Sequence, residues 1–253
     1  DREYVPGDDV RHVDWKVWSK TDKYYLKQYD EETNLLLYML LDTSESMAYA
    51  SGDNVSKFKY AQLVVAALGY LVLQQQDSVA LALFDDAVRR YLKPSGQPSH
   101  LKELIHLLDV TPAREKSDLG AVMHDLSERF KKRGVIAIFS DLFDDVATII
   151  SGLKHFRHRR HEVIVFHILD PAEVDFPFRD PTLFKGMEGL PDVLADPYAL
   201  RRAYQEELGV FLDAVKKGCR LIDIDYVPLR TDQSLDAPLS AYLASRSARR
   251  RKR

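Results

Sequence analysis

Asp42, Ser44 and Ser46 stand at alternate positions in Asp42-Thr43-Ser44-Glu45-Ser46. That spacing lets one tight loop aim three oxygen-bearing side chains inward. A second acid, Asp141, follows Phe139-Ser140 at the end of another apolar run. Two carboxylates and several hydroxyls suit a hard divalent cation. Mg2+ takes six oxygens in an octahedron and usually keeps several waters. A third hydroxyl stands at Ser117, in Lys116-Ser117-Asp118-Leu119-Gly120, just before a helical pattern. A serine there is also a favoured N-cap. Singly, each residue has a plainer reading. Asp42 can cap a loop, Ser44 and Ser46 can be turn residues, and Asp141 can cap the next helix. As an ordered set at two strand ends, they point to metal binding.

The surrounding pattern must position this set. Leu35–Leu41 is a short continuous apolar run, typical of a strand buried on both faces. Lys57–Gln76 reads as a heavily buried helix. Ser78–Phe84 and Val88–Leu92 read as a hairpin about Asp85-Asp86. Further helices are expected near 101–108 and 119–132, and over Val146–Phe156, Tyr198–Lys217 and Leu239–Ala244. Further strands are expected over Val135–Phe139, Val163–Leu169 and Leu221–Val227. Alternating strands and helices imply an α/β fold: a Rossmann-like, doubly wound, mostly parallel sheet with helices on both faces. The first strand is then central, with the hairpin on one side and the later strands on the other. Ligands in such sheets bind beyond the carboxyl ends of the strands, where strand order reverses. Asp42 and Asp141 fall at that point.

The expected organisation is an N-terminal extension over 1–33 and a domain over 34–245. The domain carries a Pro-, Gly- and Asp-rich excursion at about 171–197, with room for a short hairpin. A basic tail over 246–253 holds six positive charges and no negative ones. The net charge is −3, so the remaining residues carry −9. An acidic body argues against nucleic acid as a partner. The tail offers no apolar face and is expected to be mobile and dispensable for folding. One cysteine, Cys219, excludes a disulfide framework and any Cys-built zinc site. It reads as a small core residue. The longest apolar stretch, Leu63–Leu73, has 11 residues, against the roughly 20 a membrane helix needs. A cytoplasmic setting is expected. The chain starts at Asp1, so a preceding segment could still carry targeting information.

The order of these motifs resembles the metal-ion-dependent adhesion site of von Willebrand factor type A domains. Asp42, Ser44, Ser46, Ser117 and Asp141 match its five positions. Such sites usually carry Thr at the position of Ser117. The stretch from Arg2-Glu3-Tyr4-Val5-Pro6-Gly7 to Asp14-Trp15-Lys16, with Lys27-Gln28-Tyr29-Asp30-Glu31-Glu32, looks like the signature of the DUF58 family. Members of this bacterial family carry a type A domain and often lie beside MoxR-type AAA+ ATPases. The resemblance implies Mg2+ (or Mn2+ or Ca2+) as cofactor. It also implies a partner protein offering an Asp or Glu carboxylate, and a MoxR-type ATPase as that partner. Family members often have Gly where this chain has Glu45 between the serines.

The function expected is a non-enzymatic, metal-dependent protein-interaction module. The alternative is a Mg2+-dependent hydrolase of haloacid-dehalogenase type, with Asp42 after the first strand and Asp141, Asp144 and Asp145 after the fourth. That chemistry needs a second carboxylate two residues beyond the first as general acid. Ser44 occupies that place. No Gly-x-Gly-x-x-Gly or P-loop motif is present, which argues against a nucleotide cofactor.

Overall fold

The computed structural model describes residues 2–3, 25–26, 35–113, 118–184, 193–236, 238–240 and 242–244. The expectations for Ser117 and the basic tail lie outside these residues. The chain divides into two units, residues 1–34 and 35–253. In the first, β1 (Arg2–Glu3) pairs antiparallel with β2 (Tyr25–Leu26).

The second unit is built on six strands: β3 (Leu36–Asp42), β4 (Ser78–Phe84), β5 (Val88–Ser95), β6 (Val135–Ser140), β7 (Glu162–Leu169) and β10 (Asp225–Arg230). Their order is β10-β7-β6-β3-β4-β5. All neighbours are parallel except β4 and β5, the hairpin. Thus β3 is central and the order reverses between β3 and β6, as expected. A separate pair, β8 (Thr182–Phe184) and β9 (Val193–Ala195), forms the short hairpin of the excursion.

The helices are α1 (Lys57–Gln74), α2 (His100–Val110), α3 (Leu119–Arg129), α4 (Val146–His158), α5 (Pro171–Asp175) and α6 (Pro197–Leu221). Side chains alternate along β3. Leu37, Met39 and Leu41 join a core with α1 and α2, while Leu36, Tyr38 and Leu40 join one with α3, α4 and α6. Burial of both faces explains why the strand reads as a continuous apolar run. Gly134 lets β6 start tight against β3. A Cβ there would lie 2.3 Å from the Leu36 carbonyl oxygen.

One local reading is corrected. The last strand lies at Asp225–Arg230, not Leu221–Val227. Helix α6 runs through Leu221 and ends at Ile222, and Asp223 takes φ 56 to turn the chain before the strand. The excursion opens with helix α5. Asp170 accepts from Ala172 N while Glu173 Oε2 accepts from Asp170 N, a capping box closed by Pro171 at the first helical position. The N-cap of α3 is Asp118, which accepts from Ala121 N at 3.0 Å. Cys219 is buried, and burial pushes its thiol up to about 11.

Candidate metal centre

Asp42 ends β3, and its side chain organises the loop that follows. Its Oδ1 accepts from Ser44 N at 2.9 Å, bending the chain in an Asx turn. Thr43 N and Thr43 Oγ1 both donate to the Phe84 carbonyl, extending the contact with β4. A 3-10 turn over Glu45–Ala48 follows. Ser44 and Ser46 therefore point back to the same spot, with their hydroxyl oxygens 3.1 Å apart. Asp42, Ser44, Ser46 and Asp141 are all buried.

From the neighbouring strand end, Ser140 Oγ donates to Asp42 Oδ2 at 2.6 Å. Leu142 N donates to the same Ser140 oxygen at 2.9 Å. Leu142 is held at φ 53, a left-handed conformation that a branched, buried residue rarely adopts. Between them, Asp141 turns into the site. Its Oδ2 accepts from Lys57 Nζ at 2.7 Å. Its Oδ1 is buried without a hydrogen-bond partner. Lys57 Nζ also donates to Glu173 Oε1 at 2.6 Å. His167 Nε2 donates to the Asp141 carbonyl at 2.9 Å, and its Nδ1 accepts from the Tyr226 hydroxyl at 2.6 Å. That bonding fixes the neutral ring in one tautomer.

The titration directions follow from this geometry. Burial, then the charge of Asp141, pushes the Asp42 carboxyl up to about 7, against hydrogen bonds from Ser140 and Ser44. Burial also acts on Asp141, but the adjacent Lys57 ammonium outweighs it and holds this carboxyl below the usual range. Burial favours neutral Lys57, yet Asp141 and then Glu173 overcome it and keep the ammonium charged. Burial lowers His167 to about 4.

The structure thus gathers Asp42, Ser44, Ser46 and Asp141 at the carboxyl ends of β3 and β6, while Ser117 lies outside the described residues. Among the described residues, no group of three or more His, Cys, Asp or Glu is placed to hold a metal. The donor set here is of another kind, two carboxylates and neutral hydroxyls. A hard oxygen-seeking ion suits it, and the unpartnered Asp141 Oδ1 fits a missing ligand contact. At the second-acid position of a dehalogenase-type site stands Ser44, bonded to Ser46. The hydrolase alternative therefore finds no support.

Sequence reasoning missed Lys57, Glu173 and the role of Ser140. One signal was present. Lys57 is the first residue of α1, next to N-cap Ser56, where the helix dipole disfavours a cation. A local misfit of this kind often marks a functional position. Asp170-Pro171-Ala172-Glu173 was also legible as a capping box.

Beside the site lies a cavity of about 510 Å³ whose lining includes Lys57, Asp141, Leu142, Glu173, Leu208 and Phe211. Phe143 lies at its edge, 54% exposed. Among the described residues, no helix is long and apolar enough to cross a membrane.

Uncharacterized protein Rv1480 of Mycobacterium tuberculosis is 25% identical over 252 residues, covering 97% of this chain and 78% of that protein. The crystal structure of conserved hypothetical protein BatB from Bacteroides thetaiotaomicron covers 85% of this chain and 99% of its own, at 12% identity and TM-score 0.54. That likeness shows a shared fold. The SpRpn10 VWA domain aligns over 81% of this chain and 93% of its own, at 13% identity and TM-score 0.41. The family described as Protein of unknown function DUF58 matches residues 1–209, more than half of the chain, and the chain belongs to that family.

Proposed function

We propose that this chain is a non-enzymatic protein-interaction module that engages its partner through a divalent ion, Mg2+ or another such as Mn2+ or Ca2+. The supporting observation is the meeting of Asp42, Ser44, Ser46 and Asp141 at the strand-order reversal, with Asp141 Oδ1 buried and unpartnered. Asp42 and Asp141 would supply the charged ligands and Ser44 and Ser46 the neutral ones. Ser117 is the fifth ligand on the adhesion-site resemblance. A bound ion would supply a Lewis-acid position for a partner's Asp or Glu carboxylate. Ser140 and the Ser44 amide orient Asp42, and Lys57 fixes one oxygen of Asp141. The exposed Phe143 and the apolar side of the neighbouring cavity offer contact area beside that carboxylate.

The partner class is a MoxR-type AAA+ ATPase, on the family resemblance, and a cytoplasmic setting goes with that reading. The test is binding of the purified ATPase to the full chain by calorimetry, in Mg2+ and in EDTA. Binding in Mg2+ that disappears in EDTA and with Asp42→Asn is the expected result. Equal affinity in the two buffers would refute the metal-dependent mechanism.

A further inference from the structure

Lys57 does not fit a purely structural account. It opens a helix whose buried side chains are otherwise mostly apolar, and it sits at the end where a cation is disfavoured. Its side chain is 3% exposed. A buried ammonium is costly unless its hydrogen bonds are met by opposite charge. Here two carboxylates meet it, Asp141 at 2.7 Å and Glu173 at 2.6 Å. One of those two is a candidate ion ligand. The other, Glu173, comes from α5, a separate element.

The charge balance gives the arrangement a consequence. An ion binds the ionised forms of Asp42 and Asp141, and with Glu173 ionised as well, the three carboxylates and Lys57 sum to −2. A divalent ion brings that centre to zero, so it does not repel an arriving carboxylate. Without Lys57 the same ionised carboxylates would sum to −3, attract a free ion more strongly, and stay negative after taking it up. Like charges close together in a site shielded from water interact strongly.

We propose that Lys57 is a built-in counter-cation of the metal centre, lowering its affinity for free ion and raising its affinity for a partner carboxylate. This rests on reading the site as a metal centre. Lys57 is a positioning residue. It holds Asp141 by Oδ2, leaves Oδ1 unpartnered, and shares that carboxylate with any ion bound to Asp141. Coupling between ion and partner follows, because the charge the ion lacks in the free protein is supplied by the partner.

Mn2+ alone is a sufficient probe. The full chain, Lys57→Met and Glu173→Gln are titrated with Mn2+ by calorimetry and by the spin-resonance signal of free Mn2+, with Asp42→Asn as the site control. Lys57→Met should tighten Mn2+ binding by roughly tenfold or more. Glu173→Gln leaves the ammonium less neutralised and should weaken binding several-fold. Opposite signs from two neighbouring substitutions are not what loss of packing produces. If Lys57→Met does not fold, Glu173→Gln still decides, since it keeps the cation and an acceptor for Asp170 N. Unchanged Mn2+ affinity in that variant would overturn the proposal. Wild-type binding left equal or weakened by Lys57→Met would overturn the role of Lys57 and leave the metal centre standing. Absence of Mn2+ binding in both wild type and Lys57→Met would overturn both readings. Binding that appears only in Lys57→Met would support the proposal.

Discussion

The Ser140 hydroxyl donates to Asp42 Oδ2 at 2.6 Å, joining residues 98 apart at the ends of two adjacent parallel strands. The same oxygen accepts from Leu142 N, so one side chain orients Asp42 and helps hold the bend that turns Asp141 inward. Ser140→Ala removes both functions. We expect a stability loss of about 1–3 kcal/mol, the usual cost of a buried bond to a charged group. Mn2+ binding should weaken in parallel. Urea unfolding and calorimetry check the two effects. A variant as stable as wild type, with unchanged Mn2+ affinity, would show that the hydroxyl supports neither.

Asp42 is fully buried and bonded on both oxygens. Asp42→Ala would strand the Ser44 amide and the Ser140 hydroxyl, so that variant is not expected to leave stability untouched. Asp42→Asn keeps the shape and removes a charge that Asp141 repels. Its melting temperature should stay within a few degrees of wild type, while Mn2+ affinity drops at least tenfold, on the order expected for losing a charged ligand. Retained Mn2+ binding in a folded Asp42→Asn protein would remove Asp42 from the ligand set.

His167 gives a pH dependence with a defined sign. Its buried ring is lowered to about 4 from an ordinary value near 6.5. A histidine lowered in the folded state contributes stability that is present above its unfolded value and lost as pH falls toward the folded one. The loss therefore falls between about pH 6.5 and pH 4 and amounts to about 3 kcal/mol. Asp42, raised to about 7, acts in the opposite sense over the same range, so the His167 share is read as the difference between wild-type and His167→Gln urea midpoints at pH 7 and pH 4.5. His167→Gln should lose less stability, or gain more, than wild type on going from pH 7 to pH 4.5, and an identical pH dependence in the two proteins would assign His167 no part in it.

No Mg2+-dependent phosphatase activity is expected. Ser44, hydrogen-bonded to Ser46, stands where a general acid would be needed. The assay is release of phosphate from a phosphomonoester by the purified chain in excess Mg2+. Turnover that is lost in Asp42→Asn would contradict this.

The apolar run ending at Asp42 and the alternation of strands and helices determined the parallel sheet, the central place of β3 and the carboxyl-end position of Asp42 and Asp141. Those features depend on periodicity and on short-range steric rules, which are written in neighbouring residues. The Asx turn at Asp42 and the capping box at Asp170 are equally local. The bonds from Lys57 to Asp141 and Glu173 span 84 and 116 residues, and no spacing rule encodes them. They exist because the sheet order brings the end of β6, the start of α1 and the helix after β7 to one place. There the low local dielectric turns three separate charged residues into one electrostatic unit, and only the tertiary structure decides that.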